Sequence, residues 1–296
     1  MKKKKTLIVL GIVCASIILL GIVFAVVFRL RTVDVEFRSR AIQSETNLGE
    51  NVQEKVLDDG GFGFGKNILF MNLNNNVKNI EKQNPYVKVE QVIRYFPGTV
   101  RVYISERLPR YRVRDTSVTD RWYILDKDFK VLDIVKTEEI KIKTICKTST
   151  YYNKTIEINP SSFTVSANKG DFINETIFKG YFNQISEGII GYAKHISVAK
   201  RISIIGNDNA KNNVGDFQFE IVMKNSNSTE NDDGGKIYVL GSSDLTIRVN
   251  HGVHCYTSEI KNETTLDPTT AKVTVDEDAN VFVESQKGNY KYNEED

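Results

Sequence analysis

The chain has 296 residues, 40% hydrophobic and 26% charged, with a formal charge of +2. That suffices for a membrane anchor and two modest domains with packed cores. The first 31 residues hold six of the 40 bases and none of the 38 acids, leaving 34 bases against 38 acids. This mildly acidic remainder argues against nucleic acid as the main ligand.

The first element is TLIVLGIVCASIILLGIVFAVVF, Thr6 to Phe28, a run without charge. At ~1.5 Å per residue a helix of this length matches the ~30 Å hydrocarbon layer. It is longer than a signal-peptide core, and Ala25-Val26-Val27 is a poor cleavage site. Cys14 behind branched Val13 is a poor lipidation site. The basic Lys2–Lys5 favours a cytoplasmic N-terminus, with the long C-terminal part translocated. Cys146 and Cys255 lie far apart; a bridge and two buried thiols are both open.

Val33, Val35 and Phe37 alternate with charged residues as a half-buried strand. Asn47 is a candidate N-cap for a helix carrying Val52, Val56 and Leu57, ended by the glycines from Gly60. Leu73, Val77 and Ile80 mark a second helix that stops before Pro85. A strand from Val87 to Ile93, the turn Phe96-Pro97-Gly98 and a strand with Val100, Val102 and Ile104 follow. Pro97 presets φ and Gly98 tolerates φ > 0. Pro109 ends the strand after Glu106-Arg107.

This β-α-α-β-β order, in GKNILFMNLNNNVKNIEKQNPYVKVEQVIRYFPGTVRVYISERLPRYRV, resembles the POTRA domain of the bacterial division proteins FtsQ and DivIB. The matching positions are Gly65, Asn67, Leu69 and Phe70; Pro85 and Val87; Arg94, Phe96, Pro97 and Thr99; Glu106, Arg107 and Pro109. WYILDKDFKVL resembles the family's next hairpin through Asp126 and Asp128, but Phe129 stands where the family has glycine. That departure questions the turn geometry.

Farther on, Tyr123, Leu125, Val131, Leu132 and Ile134 suggest a hairpin around Asp126–Lys130. Ile173, Ile177, Tyr181, Ile185 and Ile189 form an amphipathic helical stripe behind a possible Asp171 cap. Strands are expected at Ile202–Ile205, at Phe217 to Met223 and at Ile237–Leu240, with KNSNSTENDDGGK an exposed loop. Leu245, Ile247 and Val249 alternate as a further strand, although the resemblance implies a helix thereabouts. AKVTVD and NVFVE make two short strands around the acidic turn Asp276–Asp278, and SQKGNYKYNEED is read as a solvated tail.

The fold class expected is α+β. Residues 1–6 form a cytoplasmic tail, 7–28 a transmembrane helix and 30–108 a POTRA-like domain. Residues 109–284 form a mostly antiparallel β domain with a packed helix, and 285–296 a flexible tail. Chemistry-bearing motifs are few. His251-Gly252-Val253-His254-Cys255, with Cys146 or His195, is the one cluster of metal-ligand type, but its spacing is not that of a zinc finger. Lys66 after the glycines lacks the following Ser or Thr of a phosphate loop. No enzyme, metal or cofactor is expected.

The resemblance implies a non-enzymatic division protein. It would bind single-pass partners of the FtsB/DivIC and FtsL kinds and act through them on the septal synthases FtsW and FtsI. The family's partner docks on the last strands, here Val273, Val275, Val281, Phe282 and Val283, by adding a strand to an open edge. A membrane-anchored extracytoplasmic binding or envelope-sensing module with a POTRA-like domain is the alternative.

Overall fold

A computed structural model describes residues 2–39, 51–115, 117–140, 155–159, 165–173, 176–193, 198–205, 218–224, 233–241, 243–261, 270–285 and 288–292. Two compact units divide the chain, Met1–Arg107 and Leu108–Asp296.

The first unit opens with α1 (Lys2–Val27), whose window Leu10–Val27 has a mean hydropathy of 3.0 and is wholly unburied. By length and composition it can cross a bilayer. Then come β1 (Thr32–Ser39), α2 (Val52–Asp59), α3 (Leu73–Gln83), β2 (Val87–Tyr95) and β3 (Thr99–Glu106). The sheet order is β1-β3-β2, with β1 parallel and β2 antiparallel to β3. Period-two alternation sends Val100, Val102 and Ile104 into the core, where they meet Val52 and Val56 of α2 and Ile80 of α3. The residue preceding α2 is Asn51; the proposed cap Asn47 lies outside the described residues. The Phe96–Pro97 peptide is cis and Gly98 does not take positive φ. Gly98 is needed for a different reason: a Cβ there would sit 2.6 Å from the Arg29 carbonyl.

The second unit holds β4 (Tyr111–Arg114), β5 (Trp122–Leu125), β6 (Val131–Val135), β7 (Ile156–Asn159), α4 (Thr176–Ala193) and β8 (Ala199–Ile204). It continues with β9 (Gln218–Lys224), β10 (Asp233–Leu240), α5 (Leu245–Lys261), β11 (Lys272–Val275), β12 (Val281–Ser285) and β13 (Gly288–Tyr292). All ten strands share one sheet, ordered β13-β12-β11-β10-β9-β8-β7-β4-β5-β6. The pairs β4–β7, β7–β8 and β10–β11 are parallel and the rest antiparallel. Phe182, Ile185 and Ile189 of α4 and Val249 and Val253 of α5 join Ile202, Ile221, Ile237 and Val273 in one core cluster.

Four expectations are corrected here. Residues 245–249 are helix, because Leu245, Val249 and Val253, four apart, are fully buried while Ile247 is 54% exposed. The segment read as a solvated tail contains β13, paired with β12 from Ser285↔Gly288 to Val281↔Tyr292. Gly234 and Gly235, read as loop, lie in β10; at Gly235 a Cβ would come within 2.5 Å of the Ala271 carbonyl and 2.6 Å of the Tyr256 ring. Asp171 does not cap α4, which starts at Thr176; its carbonyl instead accepts from Val131 N at 2.9 Å. Ile177 and Phe217 lie among the residues whose side chains are not described.

Candidate partner-binding surface

Two turns of like construction shape the second unit. In the first, Asp126 Oδ1 accepts from the backbone N–H of Asp128 and of Lys130, both at 2.9 Å, and Phe129 takes φ 62°. In the second, Asp276 Oδ1 accepts from Asp278 N at 3.0 Å and Asn280 N at 2.8 Å, and Ala279 takes φ 63°. Each is a D-x-D-x-[K/N] turn whose fourth residue sits in the left-handed region. Phe129 therefore keeps the geometry that glycine would give. Its ring is fully buried, stacked on Tyr111 at 4.9 Å.

The Asp276 turn joins β11 to β12, where the family resemblance implies the partner contacts. Val273, Val275, Val281 and Val283 are buried in the core, at 4% exposure or less. Phe282 alone of the five faces outward, 41% exposed. Neither strand is an edge, contrary to expectation: β11 lies between β10 and β12, and β12 between β11 and β13. Among the described residues the open edge on this side belongs to β13. Its polar sequence lacked the apolar alternation that marks a strand.

Beside Phe282 the outward face is polar and cross-linked. Glu220 Oε2 takes Lys236 Nζ at 2.9 Å and the Tyr238 hydroxyl at 3.0 Å, and Lys272 Nζ reaches Glu284 Oε2 at 2.9 Å. The hydrogen bond to Glu220 raises the Lys236 pKa, and burial followed by the same carboxylate raises that of Tyr238. Thr274 pairs with Phe282 and Phe282 with Lys291, so the aromatic ring stands one strand in from the edge.

The sequence reading passed over Arg248, a charged residue in an apolar helix face, for which linear spacing gives no warning. It is 1% exposed and its Nη1 donates to the Leu240 carbonyl; burial lowers its pKa, opposed by Asp244, Glu277 and Asp276. It lies close to Gly241, which takes φ +70°. His251, His254 and Cys255 lie on α5, with Cys255 buried in the core and the His254 ring 4.4 Å from that of Tyr192. Among the described residues no three His, Cys, Asp or Glu gather to hold a metal; Cys146 and His195 lie outside them.

In the first unit the motif residues act structurally. Pro85 and Gly98 are buried, as is Pro109 at the start of the second unit, and Glu106 and Arg107 are at most 9% exposed. Arg107 reaches both Glu81 oxygens at 3.2 Å, and Glu81 Oε1 also accepts from Val89 N at 2.8 Å, tying α3 to β2 and the end of β3. Phe96 and Pro97 remain exposed. Residues 51–107 match the family model described as POTRA domain, FtsQ-type. The chain carries an FtsQ-type POTRA domain. A 97-residue stretch is 29% identical to the cell division protein DivIB of Clostridium tetani (strain Massachusetts / E88), covering 31% of this chain and 36% of that protein. The match thus spans little more than a third of that relative's length. Both findings support the FtsQ/DivIB family, with the POTRA domain carrying the likeness.

Proposed function

We propose that the chain is a membrane-anchored, non-catalytic assembly protein of bacterial cell division. The observation that carries this reading is the FtsQ-type POTRA domain after the one membrane-length helix among the described residues. The helix holds the protein in the cell membrane with its N-terminus in the cytoplasm. The two units outside bind single-pass division proteins of the FtsB/DivIC and FtsL kinds, and through them influence the FtsW and FtsI synthases. Docking uses the β13 edge, open among the described residues, where a further strand pairs, with Phe282 as an apolar contact beside it.

A fluorescent fusion expressed in the native cell tests the reading. A band at mid-cell that co-purifies the two small division proteins is expected; an even membrane distribution refutes it. Photo-crosslinkers at Phe282 and Lys291 are expected to capture the partner, whereas one at buried Val273 is not.

A further inference from the structure

Three exposed aromatic residues of the POTRA unit are tied to the point where the chain leaves α1. Ile68 N donates to the Phe28 carbonyl at 2.8 Å, Leu30 N to Lys66 O at 2.8 Å and Gly65 N to Leu30 O at 3.0 Å. On the other side Arg31 N donates to Gly98 O at 2.8 Å. The Asn67 side chain donates to the Phe24 carbonyl in the last turn of α1 at 3.3 Å and accepts from Leu69 N at 3.0 Å. Arg94 holds the same loop from β2, through Ile68 O at 2.8 Å and Met71 O at 2.7 Å.

The loop is thus pinned, yet it presents Phe70 at 84% and Phe64 at 60% exposure, and the neighbouring hairpin presents Phe96 at 58%. The Phe96 ring meets Phe28 edge-on at 5.6 Å, and Phe28 lies 4.6 Å from Phe24 of the helix. Arg29, Arg31 and Lys66 are exposed among them. The pinned backbone holds these rings at the loop and hairpin surface, and among the described residues of the unit none covers them. Each lies within two residues, ~7 Å of chain, of a residue whose backbone is hydrogen-bonded to Phe28–Arg31: Gly65, Ile68 and Gly98. The headgroup layer on one side of a bilayer is roughly that thick.

We propose that Phe64, Phe70 and Phe96 sit in the lipid headgroup layer outside the cell membrane, with Arg29, Arg31 and Lys66 at the phosphates, so that the POTRA domain rests on the bilayer. The occupant of the patch is lipid. Aromatic rings bury their apolar body at this depth, and the cations suit anionic headgroups. The proposal rests on α1 spanning the bilayer, as proposed above.

The test uses the full chain in nanodiscs of phosphatidylcholine and phosphatidylglycerol, with and without dibrominated acyl chains, reading tryptophan quenching. The unaltered chain, whose one tryptophan is Trp122, supplies the blank. Phe70→Trp, Phe96→Trp and Phe64→Trp are conservative at exposed positions, Leu19→Trp reports the span, and Lys82→Trp at the far end of α3 reports the aqueous side. Each of the three aromatic variants is expected to lose roughly half its added emission to the brominated lipid, while Lys82→Trp loses none. Quenching of Leu19→Trp without quenching of the three overturns the lipid seat and leaves the span intact. Absence of quenching at Leu19→Trp refutes the spanning helix itself.

Discussion

Phe129 and Ala279 occupy equivalent places in two like turns and respond oppositely to the same change. A left-handed conformation costs an L-residue roughly 1–2 kcal/mol, which glycine avoids. Ala279, part-exposed, gains little from its methyl, so Ala279→Gly stabilises by about 0.5 kcal/mol after the added unfolded-state entropy. Phe129→Gly relieves the same strain but forfeits a fully buried ring worth about 3–5 kcal/mol, so it destabilises by roughly 1–4 kcal/mol. Urea denaturation of both variants checks the signs. Asp115 supplies a pH dependence. Burial pushes its carboxyl up, but Ser117, the Tyr123 hydroxyl at 2.6 Å and Arg121 together hold it well below the ordinary range. A pKa depressed on folding gives stability that is full above the unfolded value, ~4, and is lost as pH falls through the folded value. Asp115→Asn is expected to lower stability by about 2 kcal/mol at pH 7, a gap that closes only well below pH 4. Denaturation midpoints measured from pH 3 to 7 test this.

Among the elements, α5 shows what the sequence could and could not say. Its Leu245, Ile247 and Val249 fit period two and its Leu245, Val249 and Val253 fit period four; only burial separates them, with Ile247 exposed. Chain proximity favoured the shorter pattern. The POTRA strands were legible because Val100, Val102 and Ile104 alternate without a rival helical spacing. β13 was not, since GNYKY has no apolar alternation to mark it, and with it the identity of the edge was lost. Glycines in α4 and α5 were equally silent. A Cβ at Gly188 would lie 2.6 Å from the Thr246 carbonyl, and one at Gly252 2.7 Å from Ile237, so these residues set the spacing of helix on helix and helix on sheet. Gly252→Val is expected to destabilise by about 1–3 kcal/mol through overpacking, read as a lowered Tm without loss of helix signal at 25 °C.

For the whole molecule, two cores imply two independently stable units. Among the described residues the larger cluster draws its buried members from Tyr111 to Val283, and the smaller from Leu30 to Ile104. A fragment of residues 108–296 is therefore expected to unfold cooperatively by itself in a thermal scan. A POTRA fragment starting at residue 28 should do the same, but one starting at residue 35 should not. The second lacks Leu30 and Val33, each at most 8% exposed, whose burial is worth about 1.5–3 kcal/mol apiece. The Glu106-Arg107-Leu108-Pro109 motif after the POTRA hairpin thus reads as architecture: Arg107 ends one unit, and the next strand begins at Tyr111.

The bonds that clasp Phe28–Arg31 leave no swivel between α1 and β1. A lone helix in a bilayer can turn about its own axis; this one cannot do so without carrying the POTRA domain round with it. One residue added before Phe28 would turn the domain by about 100° and raise it about 1.5 Å. The compass bearing of the exposed β2 edge is therefore fixed by the number of residues in the span. With α1 spanning the bilayer as proposed, whatever grips one stripe of it also aims that edge.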